Sequence, residues 1–383
     1  MWKHIAANAM TLLIAALVMI VAVIGLGERL FRAEGPLESA VCVRVERGAT
    51  LRQVATSLEQ MGAVSNAMLF RIGAQYDGRD SRLRYGAYLV PAGASMDEIL
   101  GIVTQGGAST CGTEIVLRVG ISSAEYQVRE LDPATSRFDE VLSLPLETTE
   151  FPPEYRQIAD VADTRYRIAV AEGATSWQIW NALNNAEFLT GDLADVPPEG
   201  TLSPDSYEVR RGDARADVVG DMQARQLAVL TAAWENRAEG LPLASPQEAL
   251  ILASIVEKET GVAEERGVVA SVFINRLREG MRLQTDPTVI YGITRGQGVL
   301  GRGLRRSELN ARTPYNTYQI DGLPPTPIAN PGRASIEAAL NPDTTDYLFF
   351  VADGTGGHAF AVTLAEHNAN VARWRQIEAQ QGN

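Results

Sequence analysis

Two glutamates in the stretch Val256–Thr260, VEKET, are the first residues whose types and spacing suggest chemistry. Glu257 and Glu259 close an apolar run that reads as one helix. Ser245 supplies an N-cap, Pro246 suits the first helical position, Glu248 stands three residues after the cap, and Gly261 offers a stop. At about 100° per residue Glu259 shares a stripe with Ala249, Leu252 and Val256, whereas Glu257 lies about 200° round, beside Ala253 and Ser254. A carboxyl group held against aliphatic side chains is desolvated, which disfavours its charged form and raises its pKa toward that of a general acid. The stripe therefore singles out Glu259 and leaves Glu257 in smaller, wetter surroundings. The same pattern admits a last-turn glutamate paired with Arg266 or Arg276, and periodicity does not separate the two readings. The two side chains leave the helix on nearly opposite sides, so they cannot act on one bond as an acid and base pair.

Other chemistries find less support. His358 and His367 have no zinc-motif spacing, no glycine-rich phosphate loop is followed by lysine, and no G-x-S-x-G is present. A carboxylate enzyme or a binding protein remains, with no metal and no cofactor expected. The formal net charge of −13 argues against a nucleic-acid partner, because neutralising phosphate needs a basic face. Asp286 is the nearest candidate for a second carboxylate, although an Asp before Pro287 also caps a turn. Tyr315, Asn316 and Tyr318 combine ring faces with amide and hydroxyl groups, the mix that holds an uncharged polar ligand. Each of these tyrosines could equally anchor a long loop. Asn275, Gln284 and His358 complete the substrate-binding candidates, with a hydrogen-bonding or structural role for His358.

Several elements must position these groups, and 383 residues exceed one ordinary core. Residues 11–30 are uncharged up to Glu28 and, with the weaker run from Ile5, give about the 20 residues that cross a bilayer. No small-x-small cleavage site follows closely, so a retained anchor is expected, with residues 1–10 as a tail. Residues 40–112 read as strand, helix, helix, strand with a closing helix opened by Ser95, and a related pattern recurs over 164–213. Both copies carry Gly-Ala-Thr at the strand-to-helix turn. Cys42 and Cys111, the only cysteines, bracket the first copy; a disulfide and two buried thiols both fit. Residues 113–163 alternate like extra strands and receive no role. Residues 214–383 turn to long helices and one hairpin, DYLFFVADGTGGHAFAVT, with Thr363 and Glu366 as a capping box for the last helix. The class is α+β: a single N-terminal transmembrane helix, βααβ modules, and a mainly helical C-terminal domain with a β-hairpin.

The motifs ASIVEKET, ASVFINRL, MRLQTDPTVIYG, TPYNTYQIDGLPPTPIANPG and YLFFVADGTGGHAF, ordered between Ser245 and Trp374, resemble the endolytic murein transglycosylases of the YceG-like family. The modules resemble the LysM-like part of that family, while residues 113–163 are longer than its usual spacing. The resemblance implies a bitopic inner-membrane protein whose body faces the periplasm, with a C-terminal catalytic domain over 214–383. It implies a lyase that cuts peptidoglycan strands between N-acetylmuramic acid and N-acetylglucosamine, leaves 1,6-anhydro ends and terminates nascent strands, with peptidoglycan synthases as candidate partners. The catalytic glutamate of the family falls on Glu259. A non-catalytic peptidoglycan-binding scaffold is the competing expectation.

Overall fold

The computed structural model describes residues 2–105, 111–161 and 164–381; Met1, the last two residues of the 113–163 segment and Asn383 lie outside the described residues. The apolar N-terminal run forms α1 (Trp2–Arg32). Its Met10–Arg32 stretch, with a mean hydropathy of 2.7, is long and apolar enough to cross a membrane. Contacts group the chain into two units: Met1–Ile115 with Gln127–Ser143 and Glu150–Arg165, and Val116–Tyr126 with Leu144–Thr149 and Tyr166–Asn383.

In the first unit, β1 (Val41–Val45), α2 (Leu51–Gln60), α3 (Ala67–Tyr76), β2 (Gly86–Val90) and α4 (Met96–Gln105) follow the local signals of the chain. Thr50 and Gln53 cap α2 reciprocally, Asn66 caps α3, and Ser95 pairs with Glu98 at the start of α4. The strands pair antiparallel from Val41↔Val90 to Val45↔Gly86, which turns Val43 and Val45 into a core with Leu58, Phe70, Ile99 and Leu100. The end of α1 joins that core: Phe31 is buried against Phe70, and a Cβ on Gly73 would collide with the Phe31 ring. Cys42 and Cys111 form a disulfide with Cα atoms 5.7 Å apart.

Five further strands, β3 (Thr113–Val119), β4 (Ala124–Asp132), β5 (Arg137–Pro145), β6 (Arg165–Val170) and β7 (Ser206–Val209), form one sheet in the order β5-β4-β3-β6-β7. The helices α5 (Pro153–Ala159) and α6 (Ser176–Asn185) flank β6 in sequence. Between β6 and β7 the described residues contain one helix, α6, where the repeat pattern anticipates two. The polar stretch after Ala186 instead runs as turns, tied down by the buried Arg215 side chain, which donates to the carbonyls of Leu183, Gly191 and Ala186.

The helical part of the second unit comprises α7 (Arg215–Glu235), α8 (Pro246–Glu259), a 3-10 turn (Ala263–Glu265), α9 (Arg266–Arg278), α10 (Asp286–Thr294), α11 (Arg306–Asn310), α12 (Arg333–Leu340) and α13 (Leu364–Gln381). The hairpin β8 (Phe349–Ala352) and β9 (His358–Ala361) pairs Phe349↔Ala361 to Ala352↔His358. α8 packs against α7, α9, α10 and α12, and every residue from Ala249 to Val256 is buried. This corrects the one-stripe expectation: a helix covered on all sides has no wet face, and Ser254 is fully buried, accepting a hydrogen bond from the Ile328 N–H at 3.0 Å.

Candidate active site

Ser245 caps α8 by accepting from the Glu248 N–H, and Pro246 occupies the first turn. The far end differs from expectation. Thr260, extended at φ −137°, is the C-cap, so the helix stops without a left-handed glycine and Gly261 lies beyond it. Thr260 also accepts from the Val262 N–H at 3.0 Å, which turns the chain away directly after Glu259. The Glu259 carboxyl group is thus the last side chain of a helix anchored in the core.

Burial raises the pKa of Glu259 above the ordinary carboxylate value; a hydrogen bond from the Thr285 hydroxyl to Oε1 lowers it, the Asp286 charge raises it, and His358 and Arg276 lower it. The net direction is upward. Neither arginine weighed as an ion-pair partner takes that role among the described residues. The Arg276 guanidinium instead donates to the carbonyls of Leu348 at 2.6 Å and Leu283 at 2.5 Å. Glu259 as a whole residue is half-buried.

Thr285, which the sequence reading missed, is 2% exposed and is gripped in turn. Its N–H donates to Thr317 Oγ1 at 3.0 Å, and its carbonyl accepts from Thr288 Oγ1 at 2.8 Å. Gln284, exposed and left-handed at φ 49°, donates its N–H to the Thr317 carbonyl at 3.2 Å. The segments around 285 and 317 are therefore stitched together beside Glu259. Tyr318 completes the seam: its hydroxyl donates to Asp286 Oδ1 at 2.7 Å, and burial followed by the Asp286 carboxylate pushes its pKa up.

The substrate-binding candidates divide by exposure. Gln284 and Asp286 are exposed, and Tyr318 and His358 are half-buried. Asn316 is fully buried and donates its amide to the carbonyls of Glu308, Leu309 and Ala311 at 3.0, 3.1 and 2.6 Å, so it anchors the loop instead of offering its amide to a sugar. Asn275 likewise spends its amide on the carbonyls of Thr345 and Tyr347, at 2.8 and 3.1 Å. Tyr315 is 8% exposed and shares a hydrogen bond with Thr326 at 2.8 Å, which makes it an anchor too.

Glu265 is a second residue that the sequence reading missed. Its Oε1 accepts the His358 backbone N–H at 2.9 Å and its Oε2 lies 2.7 Å from His358 Nδ1, so one carboxylate orients both backbone and ring. A Cβ on Gly357 would come within 2.6 Å of that Oε1, which explains the glycine before His358. Glu257 is held differently: it is half-buried and accepts from the Gly332 N–H at 2.9 Å. It is a structural acceptor, not a solvated surface group as the stripe suggested. Glu199 belongs to the same framework, accepting from the Ser176 N–H at 2.7 Å and the Tyr291 hydroxyl at 3.0 Å, with its pKa raised by burial.

A desolvated carboxyl at the end of a core helix, held by a hydroxyl and flanked by polar loops, can donate a proton and take one back. The sequence profile of the YceG-like family matches residues 43–373, and the chain belongs to that family. The endolytic murein transglycosylase of Bacillus subtilis (strain 168) is 28% identical over 331 residues, covering 86% of this chain and 84% of its own. That of Streptococcus pneumoniae serotype 2 is 26% identical over 340 residues; the match covers 87% of this chain but 58% of the relative. A solved YceG-like protein from Listeria monocytogenes is 25% identical, with a TM-score of 0.45 over 86% of this chain and 98% of its own.

Proposed function

We propose that the chain is an endolytic lytic transglycosylase that cleaves the β-1,4 bond between N-acetylmuramic acid and N-acetylglucosamine within peptidoglycan strands. The observation that carries this reading is the Glu259 carboxyl, desolvated and held by Thr285 at the end of a core helix. The names of the relatives from B. subtilis and S. pneumoniae point the same way. A protonated Glu259 gives its proton to the glycosidic oxygen as the bond to muramic C1 breaks, and the 2-acetamido group stabilises the cation that develops there. The carboxylate then removes the proton from the muramic C6 hydroxyl as O6 bonds to C1. The proton count closes with no water consumed, so a carboxylate pair at hydrolase spacing is not needed. Gln284, Asp286, Tyr318 and His358 serve as sugar contacts, since they reach solvent and, unlike the half-buried Asn275, do not spend a side-chain amide on loop carbonyls.

In this reading residues 11–30 anchor the protein once in the inner membrane with the body in the periplasm. Residues 40–112 and 164–213 are LysM-like glycan-gripping modules, and residues 214–383 carry out catalysis. A scaffold that only binds glycan has no use for a carboxyl kept short of solvation. Digestion of purified, uncrosslinked strands tests the proposal: fragments should be one water lighter than hydrolysis products. Fragments with free reducing ends would make the protein a hydrolase, and no fragments at all would leave it a scaffold.

A further inference from the structure

We propose that the arginine-rich loop between α10 and Tyr315 docks the carboxylates of the stem peptides carried by the glycan. This rests on the transglycosylase reading and adds a substrate preference to it. Residues 295–312 hold five arginines, Arg295, Arg302, Arg305, Arg306 and Arg312, against the single acid Glu308, in a chain of net charge −13. All five are exposed. A local reversal of sign on an acidic protein makes a field that gathers anions at one place.

Among the described residues the one acid paired within this loop is Glu308, taken by Arg302 through Nη1 at 2.9 Å and Nη2 at 2.5 Å. Arg306 and Arg312 are left facing solvent. The loop is mounted on the site: the Asn316 amide grips the carbonyls of Glu308, Leu309 and Ala311, and the Arg295 guanidinium sits 5.1 Å above the Tyr315 ring. The residues next in the chain, Thr317 and Tyr318, hold Thr285 and Asp286 beside Glu259. A few hydrogen-bonded steps therefore join the cationic face to the acid that meets the glycan.

The sugar rings of the substrate are neutral, whereas its stem peptides end in and carry free carboxylates, the groups that guanidinium forks pair with best. Each exposed pair contributes little, so the preference should come from several arginines together, act mainly on KM, and weaken with salt.

The test compares uncrosslinked strands whose peptides keep free carboxylates with the same strands after carbodiimide amidation. The full-length protein should cleave the free-carboxylate strands with a kcat/KM about two- to tenfold higher, the range expected of a few exposed ion pairs. Raising salt should remove the difference. Arg306→Gln with Arg312→Gln should bring the ratio close to one and leave the rate on amidated strands unchanged, while Arg→Lys at both positions should retain most of it. Equal cleavage of both strands by the unaltered protein removes this proposal and leaves the transglycosylase reading intact. Equal losses on both strands in the Gln variant also overturn it, since the loop would then serve the sugars or the fold. Lost binding to anionic vesicles with unchanged discrimination would assign the loop to a membrane surface and overturn it as well. Unaltered protein inert on both strands defeats the proposal together with the reading beneath it.

Discussion

Glu259 owes its proposed reactivity to an imbalance: burial opposes its charge more than the Thr285 hydroxyl and the neighbouring His358 and Arg276 favour it. Glu259→Gln keeps the shape and removes the titrating proton, so strand cleavage should fall by about 10²- to 10⁴-fold, measured as initial rate. The same substitution should not cost stability at neutral pH. A carboxyl whose folded pKa is raised stabilises the fold fully below its unfolded pKa and loses that contribution as pH rises through the folded value. A melting scan at pH 7 should therefore find Glu259→Gln at least as stable as the parent, and a large drop would contradict the upward shift. Thr285→Val removes the hydrogen bond that, among the described residues, favours the carboxylate, which pushes the Glu259 pKa further up. The alkaline limb of the kcat/KM profile should move to higher pH while kcat falls; an unmoved limb would mean that Thr285 does not act on the acid.

At the scale of elements, the loops around the site depend on buried anchors as much as on the helix that carries the acid. Asn316 joins the 306–311 segment to the motif beside Thr285. Asn316→Ala leaves three carbonyls without that donor, and the expected cost is about 1–3 kcal/mol in denaturant unfolding, accompanied by a rise in KM. Loss of stability without any change in KM would confine Asn316 to the fold. The start of α8 was legible because an N-cap is local chemistry: Ser245 accepts from the N–H of Glu248 three residues on, with Pro246 in between at the first helical position. Its outer face was not, because the segments that cover Ala253 and Ser254 come from elsewhere in the chain.

For the molecule as a whole, the Cys42–Cys111 disulfide closes a separation of 69 residues in the first unit. Replacing both cysteines by serine should lower the stability of that unit by about 2–4 kcal/mol, read from unfolding curves with and without reductant. Identical curves in all cases would show the bond to be absent in solution. The proposed periplasmic body supplies the oxidising surroundings such a bond requires. A reporter that works only outside the cytoplasm, fused after Asn383, should be active, and an inactive one would remove both the topology and access to the substrate.

The sequence by itself determined what rests on neighbouring residues: the apolar span of α1, the caps of α4, α8 and α13, and the β8–β9 hairpin. These follow from hydrophobic period, side-chain to backbone hydrogen bonds and turn composition, all of which act over a few positions. Only the tertiary structure decided the surroundings of the acid. Thr285 reaches Glu259 across 26 residues and Glu265 orients His358 across 93, and neither pairing leaves a periodic trace in the chain. The same holds for exposure, which separated Gln284 and the half-buried Tyr318 from the fully buried Asn316, and for the carbonyls of Thr345 and Tyr347 that occupy the Asn275 amide. Burial is set by what packs on a residue from distant segments, and that is a property of the folded chain alone.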